Sequence, residues 1–193
     1  MNRLSSALLA LTLFSAGALA VTNPYQLTTE ADVPALHQQT LPDFWRDHAA
    51  PGEFKGKDGV TIRYAALRQA KVDRAILLVN GRVESYLKYQ ELAWDLWRQG
   101  YSLYLIDHRG QGLAQRPEPD PQLGDVTDFR RYSDDLMQAV STVRSQTDLP
   151  LLALAHSMGS AILYRYLQMT ALPLLDAAIF CAPMFGIPAG PLP

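Results

Sequence analysis

Ser157 stands between Ala155 and Gly159 in the run Leu151-Leu152-Ala153-Leu154-Ala155-His156-Ser157-Met158-Gly159-Ser160-Ala161-Ile162. Five apolar residues lead in and a helix-forming stretch leads out. In this layout a strand turns sharply into a helix and lifts one side chain above the sheet edge. The turn is strained, so the residues two before and two after the raised one must be small. The pattern here is A-x-S-x-G, one methyl group larger than the usual G-x-S-x-G. A serine presented in this way is a nucleophile for acyl transfer, once a base takes its proton and an acid orients the base. The same residues would also suit an ordinary strand-to-helix junction with a serine N-cap.

Acyl transfer needs donors for the oxyanion that forms as well. The backbone N–H after the nucleophile is one, which makes Met158 a candidate by position. A second comes from the loop after an early strand. In Val79-Asn80-Gly81-Arg82-Val83-Glu84-Ser85 an apolar run ends in a glycine turn, and Arg82 is the natural donor. Each such donor is worth about 3 kcal/mol in the transition state, where the charge it faces first appears. A plain strand-exit turn is the alternative for this loop.

Other candidate groups are expected to be structural. Asp107-His108-Arg109-Gly110-Gln111-Gly112 has two close glycines, suited to a tight turn across which Asp107 and Arg109 could pair. His37 and His48 lie in an N-terminal arm and are expected to be exposed, while His156 is expected to aim its ring away from the Ser157 hydroxyl. The usual chain order is serine, acid, histidine, and no histidine follows Ser157. The expectation is therefore a catalytic triad incomplete in these residues, which end before acid and histidine, and little activity from them alone. No histidine–carboxylate cluster has metal-ligand spacing, and no dinucleotide or Walker pattern is present. Cys181 is the sole cysteine, which excludes an intrachain disulfide. No cofactor or metal is expected.

Of 193 residues 48% are hydrophobic and 19% charged, enough apolar material for a sizeable core. A net charge of −2, with no basic run, gives no electrostatic case for nucleic acid. Residues 1–20 read as a signal peptide: Met1-Asn2-Arg3, an uncharged stretch from Leu4 to Phe14, and Ala18-Leu19-Ala20 as the cleavage site. The apolar stretch is shorter than the roughly 20 residues of a membrane span. A secreted or periplasmic mature protein starting at Val21 is expected, with an uncleaved membrane anchor as the alternative.

The elements that must position these groups follow from patterning. Residues 21–50 read as an irregular arm, broken at Asn23-Pro24, Val33-Pro34 and Leu41-Pro42 and pinned to the body by Phe44 and Trp45. Gly52 to Leu67 reads as a hairpin turning at Lys57-Asp58-Gly59. Residues 75–79, 101–106, 151–155 and 177–181 are near-continuous apolar runs, as in parallel strands buried on both faces. Tyr89, Leu92, Ala93, Leu96 and Trp97 share a helical face before Gly100. Phe129, Tyr132, Leu136, Val140 and Val143 form a second stripe, and Ile162, Leu163, Tyr166 and Leu167 a third. This alternation predicts a doubly wound, mostly parallel α/β sheet led by an antiparallel hairpin.

Together these segments resemble the α/β-hydrolase superfamily, in its lysophospholipase and monoacylglycerol lipase branch. The motifs in order are "NGRVESYLKYQELAWDLWRQGY", "LIDHRGQG", "LLALAHSMGSAI" and "AAIFCAPMFGIP", within about Glu53 to Ile187. Asn80 stands where much of the family carries histidine, and Ala155 where it often carries glycine. The resemblance implies an α/β-hydrolase domain, partial over residues 51–193 and ending before lid, acid and histidine, with Ser157 as nucleophile and the N–H groups of Arg82 and Met158 as oxyanion donors. It implies hydrolysis of a single-chain lipid ester through an acyl-serine, with possible peripheral membrane contact and no specific protein partner. The alternatives are a non-catalytic fragment or lipid-binding remnant, and an esterase or peptidase of the same fold.

Overall fold

The computed structural model describes residues 23–124 and 126–186; the signal peptide expected over residues 1–20 lies outside them. Six strands form one sheet in the order β1-β2-β4-β3-β5-β6. The leading hairpin is β1 (Ala49–Lys55) and β2 (Thr61–Leu67), antiparallel and in register from Ala49 against Leu67 to Lys55 against Thr61. β2 also runs antiparallel to β4 (Tyr101–Ile106). From there the sheet is parallel: β4 pairs with β3 (Arg74–Val79), β3 with β5 (Leu151–His156), and β5 with β6 (Ala177–Cys181). β6 pairs only with β5 among the described residues.

β3 and β4 are almost wholly apolar because both of their faces are covered, and β5 lies between them and β6. β6 departs from the expectation of burial on both faces: Ala178 and Phe180 pack on the core, whereas Ala177, Ile179 and Cys181 are exposed, because no helix lies over that side among the described residues. Successive side chains of a strand point to opposite sides. On β3, Leu77 and Val79 join a core with α4 (Arg130–Arg144) and α5 (Met158–Met169), while Ile76 and Leu78 join another under α2 (Leu41–His48) and α3 (Gln90–Arg98). Leu77 and Leu103 are fully buried, each contributing about 2 kcal/mol from apolar area removed from water. Helix α3 ends where Gly100 takes a φ of +84°, a conformation that glycine adopts without strain.

The arm departs from expectation. Residues expected to be irregular form a nearly continuous helical run: α1 (Val33–Ala35), a wider π turn (Leu36–Thr40) and α2. Pro34 and Pro42 each fall in a first turn, where the missing N–H has no intrahelical acceptor anyway, so they punctuate the run without breaking it. Phe44 is buried and meets the rings of Trp94 and Trp97 edge-on, and Trp45 stacks on Tyr86. These two aromatics do pin the arm. The α3 stripe also differs in detail: Leu92 faces outward, whereas Asp95 is buried, its carboxylate accepting from the Thr28 N–H and hydroxyl.

Candidate active site

β5 runs directly into α5 at Ser157, whose backbone sits at φ 52° and ψ −119°. A side-chain-bearing residue held there costs about 1–3 kcal/mol, and such strain persists only where the surroundings over-determine it. They do so here. The Ser157 N–H donates to the Cys181 carbonyl at 3.0 Å, its carbonyl accepts from the Met184 N–H at 3.2 Å, and the Ser160 hydroxyl donates to the Ala155 carbonyl at 3.0 Å. Gly159 has no freedom to be larger: a Cβ there would lie 2.3 Å from the Val79 carbonyl oxygen and 2.4 Å from that of Asn80. Ala155 is fully buried. The small-residue requirement on both sides of the serine is thus a packing fact, and it presses the start of α5 against the turn that follows β3.

That turn carries Arg82 and is held from several sides. Asp107, at the end of β4, accepts from the Tyr86 N–H, the Ser85 hydroxyl, the Asn80 side-chain amide and the Leu113 N–H. Burial still outweighs these donors and holds its carboxyl above the usual aspartate value. Gln111 donates to the carbonyls of Gly81 and Glu84, while its own carbonyl accepts the Val83 N–H. Val83 is forced to φ 59°, a strained position for a β-branched residue. His108 Nε2 lies 3.0 Å from the Asn80 carbonyl, which can only accept, so that nitrogen carries the proton. Burial pushes the His108 pKa down to about 4, leaving a neutral ring whose Nε2 proton is committed to structure.

The Asp107–Gly112 turn is structural, as expected, but its ion pair is a different one. Arg109 does not pair with Asp107. Its Nε and Nη2 reach both carboxylate oxygens of Asp135 on α4, at 2.6 and 2.8 Å, with both side chains almost wholly buried. Asp107 is already surrounded by four donors, whereas Asp135 faces the planar fork of the arginine directly.

Glu84 escaped the sequence reading. Its carboxylate accepts from the Gly81 N–H at 2.7 Å, the Tyr89 hydroxyl at 2.5 Å and Lys88 Nζ at 2.5 Å, and lies 3.4 Å from His156 Nδ1. Burial opposes the charge, but the donors prevail and hold the Glu84 pKa at about 2. The carboxylate therefore ties the Gly81 turn to the residue beside Ser157. The only signal in the sequence was the i, i+4 spacing of Glu84 and Lys88.

Ser157 is half-buried, at the mouth of the β3–β5 edge. Neither the Arg82 nor the Met158 N–H donates a hydrogen bond among the described residues; as the first residue of α5, Met158 has no acceptor within its helix. His37 and His48 are exposed on the arm, His108 is committed to Asn80, and His156 turns Nδ1 toward Glu84 and Tyr89. No histidine is hydrogen-bonded to the Ser157 hydroxyl among the described residues. Nor do those residues bring three His, Cys, Asp or Glu side chains together to hold a metal ion.

Comparison with known proteins agrees with this fold. The chain is 41% identical over 161 residues to lysophospholipase L2 of Escherichia coli strain K12, covering 83% of this chain and 47% of that protein. It is 34% identical over 88 residues to monoglyceride lipase of Rattus norvegicus, covering 45% of this chain and 27% of that protein. It thus spans about half the length, or less, of these two relatives. A thermostable carboxyl esterase from Bacillus coagulans shares the fold with a TM-score of 0.60 at 21% identity, over 69% of this chain and 44% of that one. Residues 70–193 match the family described as serine aminopeptidase, S33, and with its strand–serine–helix turn beside the Arg82 loop the chain belongs to that family of α/β-hydrolases.

Proposed function

We propose that Ser157 is the nucleophile of an ester hydrolase acting on single-chain lipids, lysophospholipids or monoacylglycerols. The observation that carries the reading is the strained Ser157 backbone, followed by the unengaged Met158 N–H and packed through Gly159 against the turn that bears the unengaged Arg82 N–H. Ser157 Oγ attacks the ester carbonyl carbon as its proton passes to a base. The two N–H groups then stabilise the oxyanion, the alcohol leaves with the proton, and water hydrolyses the acyl-serine. Similarity to lysophospholipase and monoglyceride lipase supports the lipid ester as substrate.

The loops that follow β3, β4 and β6 add an apolar rim, with Val83, Leu113, Leu123 and Phe185 all exposed. That rim suits peripheral contact with a membrane surface carrying the substrate. The leader of residues 1–20 supports export to a secreted or periplasmic location.

A fluorophosphonate probe tests the nucleophile. Protein from the full reading frame should be labelled at Ser157, and Ser157→Ala should not; labelling that survives the substitution overturns the assignment. Residues 1–193 expressed alone should turn over lysolipid only feebly, because none of their histidines meets the hydroxyl. In a serine protease, loss of the histidine alone costs about 10⁶ in rate.

A further inference from the structure

Beside the Arg82 turn lies a cavity of about 390 Å³ that the acyl-transfer chemistry leaves unused. Residues 82–85 form one wall, and Gly110, Gln111, Gly112 and Arg116, from the loop after β4, form the other. Two guanidinium groups line it. That of Arg116 is fixed, donating to the Gly110 carbonyl at 2.5 Å and the Gly112 carbonyl at 3.3 Å, which still leaves N–H groups to spare. That of Arg82 is exposed and makes no hydrogen bond or ion pair among the described residues. The one carboxylate in the lining, Glu84, is already compensated by Lys88 Nζ at 2.5 Å and by the Gly81 and Tyr89 donors. Glu118 and Asp120, in the same loop, do not line the cavity. Its balance of charge is therefore cationic, and planar arginine forks match the oxygens of a phosphate better than any other donor.

We propose that this cavity is the subsite for the phosphodiester of a glycerophospholipid headgroup. The inference rests on the ester-hydrolase reading and refines it toward lysophospholipids over neutral monoacylglycerols. Arg82 is the link. Its backbone N–H is the oxyanion donor and its side chain lines the cavity, so one residue spans the two ends of the substrate. The glycerol carbons between ester and phosphate have a reach similar to that of the arginine side chain. With the phosphate between Arg82 and Arg116, the ester is drawn toward the Arg82 N–H and Ser157.

Calorimetric titration of the protein with sn-glycero-3-phosphocholine, inorganic phosphate and glycerol tests the site directly. The phosphodiester should bind, glycerol should not, and Arg82→Gln and Arg116→Gln should each weaken the phosphodiester at least tenfold. Arg116→Lys, which keeps the charge, should restore part of the loss. Tighter binding of inorganic phosphate than of the diester would identify a free-anion site and overturn the headgroup assignment. Binding that is absent, or indifferent to both substitutions, would overturn the subsite altogether. In protein from the full reading frame, Arg116→Gln should lower the ratio of kcat/KM for lysophosphatidylcholine over monoacylglycerol at least tenfold. Equal losses on both substrates would mean that Arg116 only supports the loop, and would overturn the proposal. Fluorophosphonate labelling of Ser157 in the same samples separates the readings: no labelling of the wild type removes the hydrolase and leaves the calorimetric result to stand or fall by itself.

Discussion

Gln111 and Gly81 are joined across the two loops of the site, the Gln111 side-chain amide donating to the Gly81 carbonyl at 2.7 Å. The same side chain also bonds the Glu84 carbonyl and the Val83 N–H, so a single buried amide closes the turn that carries Arg82. Gln111→Met keeps the volume and removes all three bonds. Stability should fall by about 2 kcal/mol, the cost of stranding buried backbone groups. If the Arg82 N–H is the oxyanion donor proposed above, fluorophosphonate labelling of Ser157 should slow at least tenfold as that turn loses its fixed position. Urea denaturation and labelling kinetics check the two effects.

Gly159→Ala places a methyl group 2.3 Å from the Val79 carbonyl oxygen and 2.4 Å from that of Asn80. The obstacle is backbone of a central strand and cannot rotate aside. A loss of about 3 kcal/mol or more, or failure to fold, is expected. Gly124→Ala serves as the control, since its nearest neighbour would be 3.9 Å away; a change within about 0.5 kcal/mol is expected there. Thermal melts of the two variants decide it.

The His108 pKa falls from 6.5 to about 4 because its ring is buried. The unfolded chain therefore binds the proton more readily than the folded one, so this contribution to stability is complete above pH 6.5. It drains away as pH falls from 6.5 through about 4. Between pH 7 and pH 4.5 the loss should be roughly 2–3 kcal/mol. Glu84, held at about 2 from 4.5, adds its own loss only at lower pH. His108→Gln can still donate to Asn80 but cannot titrate, and its urea midpoint should be much flatter over the upper window.

Asp135→Ala strands the Arg109 guanidinium in a site where both side chains are less than 5% exposed. It also removes the acceptor of the Lys57 N–H. A loss of about 3–5 kcal/mol is expected, as for a buried charge deprived of its partner. Replacing the exposed pair member Asp43, which meets Arg46, should cost far less. Equal losses from the two would contradict this account of the buried pair.

Much of the architecture was legible because it rests on local pattern. Continuous apolar runs mark strands covered on both faces in β3, where Leu77 and Ile76 enter opposite cores, but not in β6, whose Ile179 stays exposed. Ala155 and Gly159 mark the strained serine, because a sharp strand-to-helix turn excludes side-chain volume at those two positions whatever lies elsewhere in the chain. The helical arm could have been read from Pro34 and Pro42, had they been taken as first-turn residues instead of breakers.

Partnership was not legible. Arg109 could have chosen any carboxylate, and only the packing of α4 on the sheet brings Asp135 to it from 26 positions away. Glu84 resembles a surface acid until the turn folds it back onto Gly81 and His156. The sequence by itself determined the order of strands and helices and the strained serine, since backbone geometry and residue size act over a few neighbours. Tertiary structure alone decided which polar groups hold the Arg82 turn against the start of α5. A buried hydrogen bond depends on direction and desolvation, and both arise only when distant segments meet.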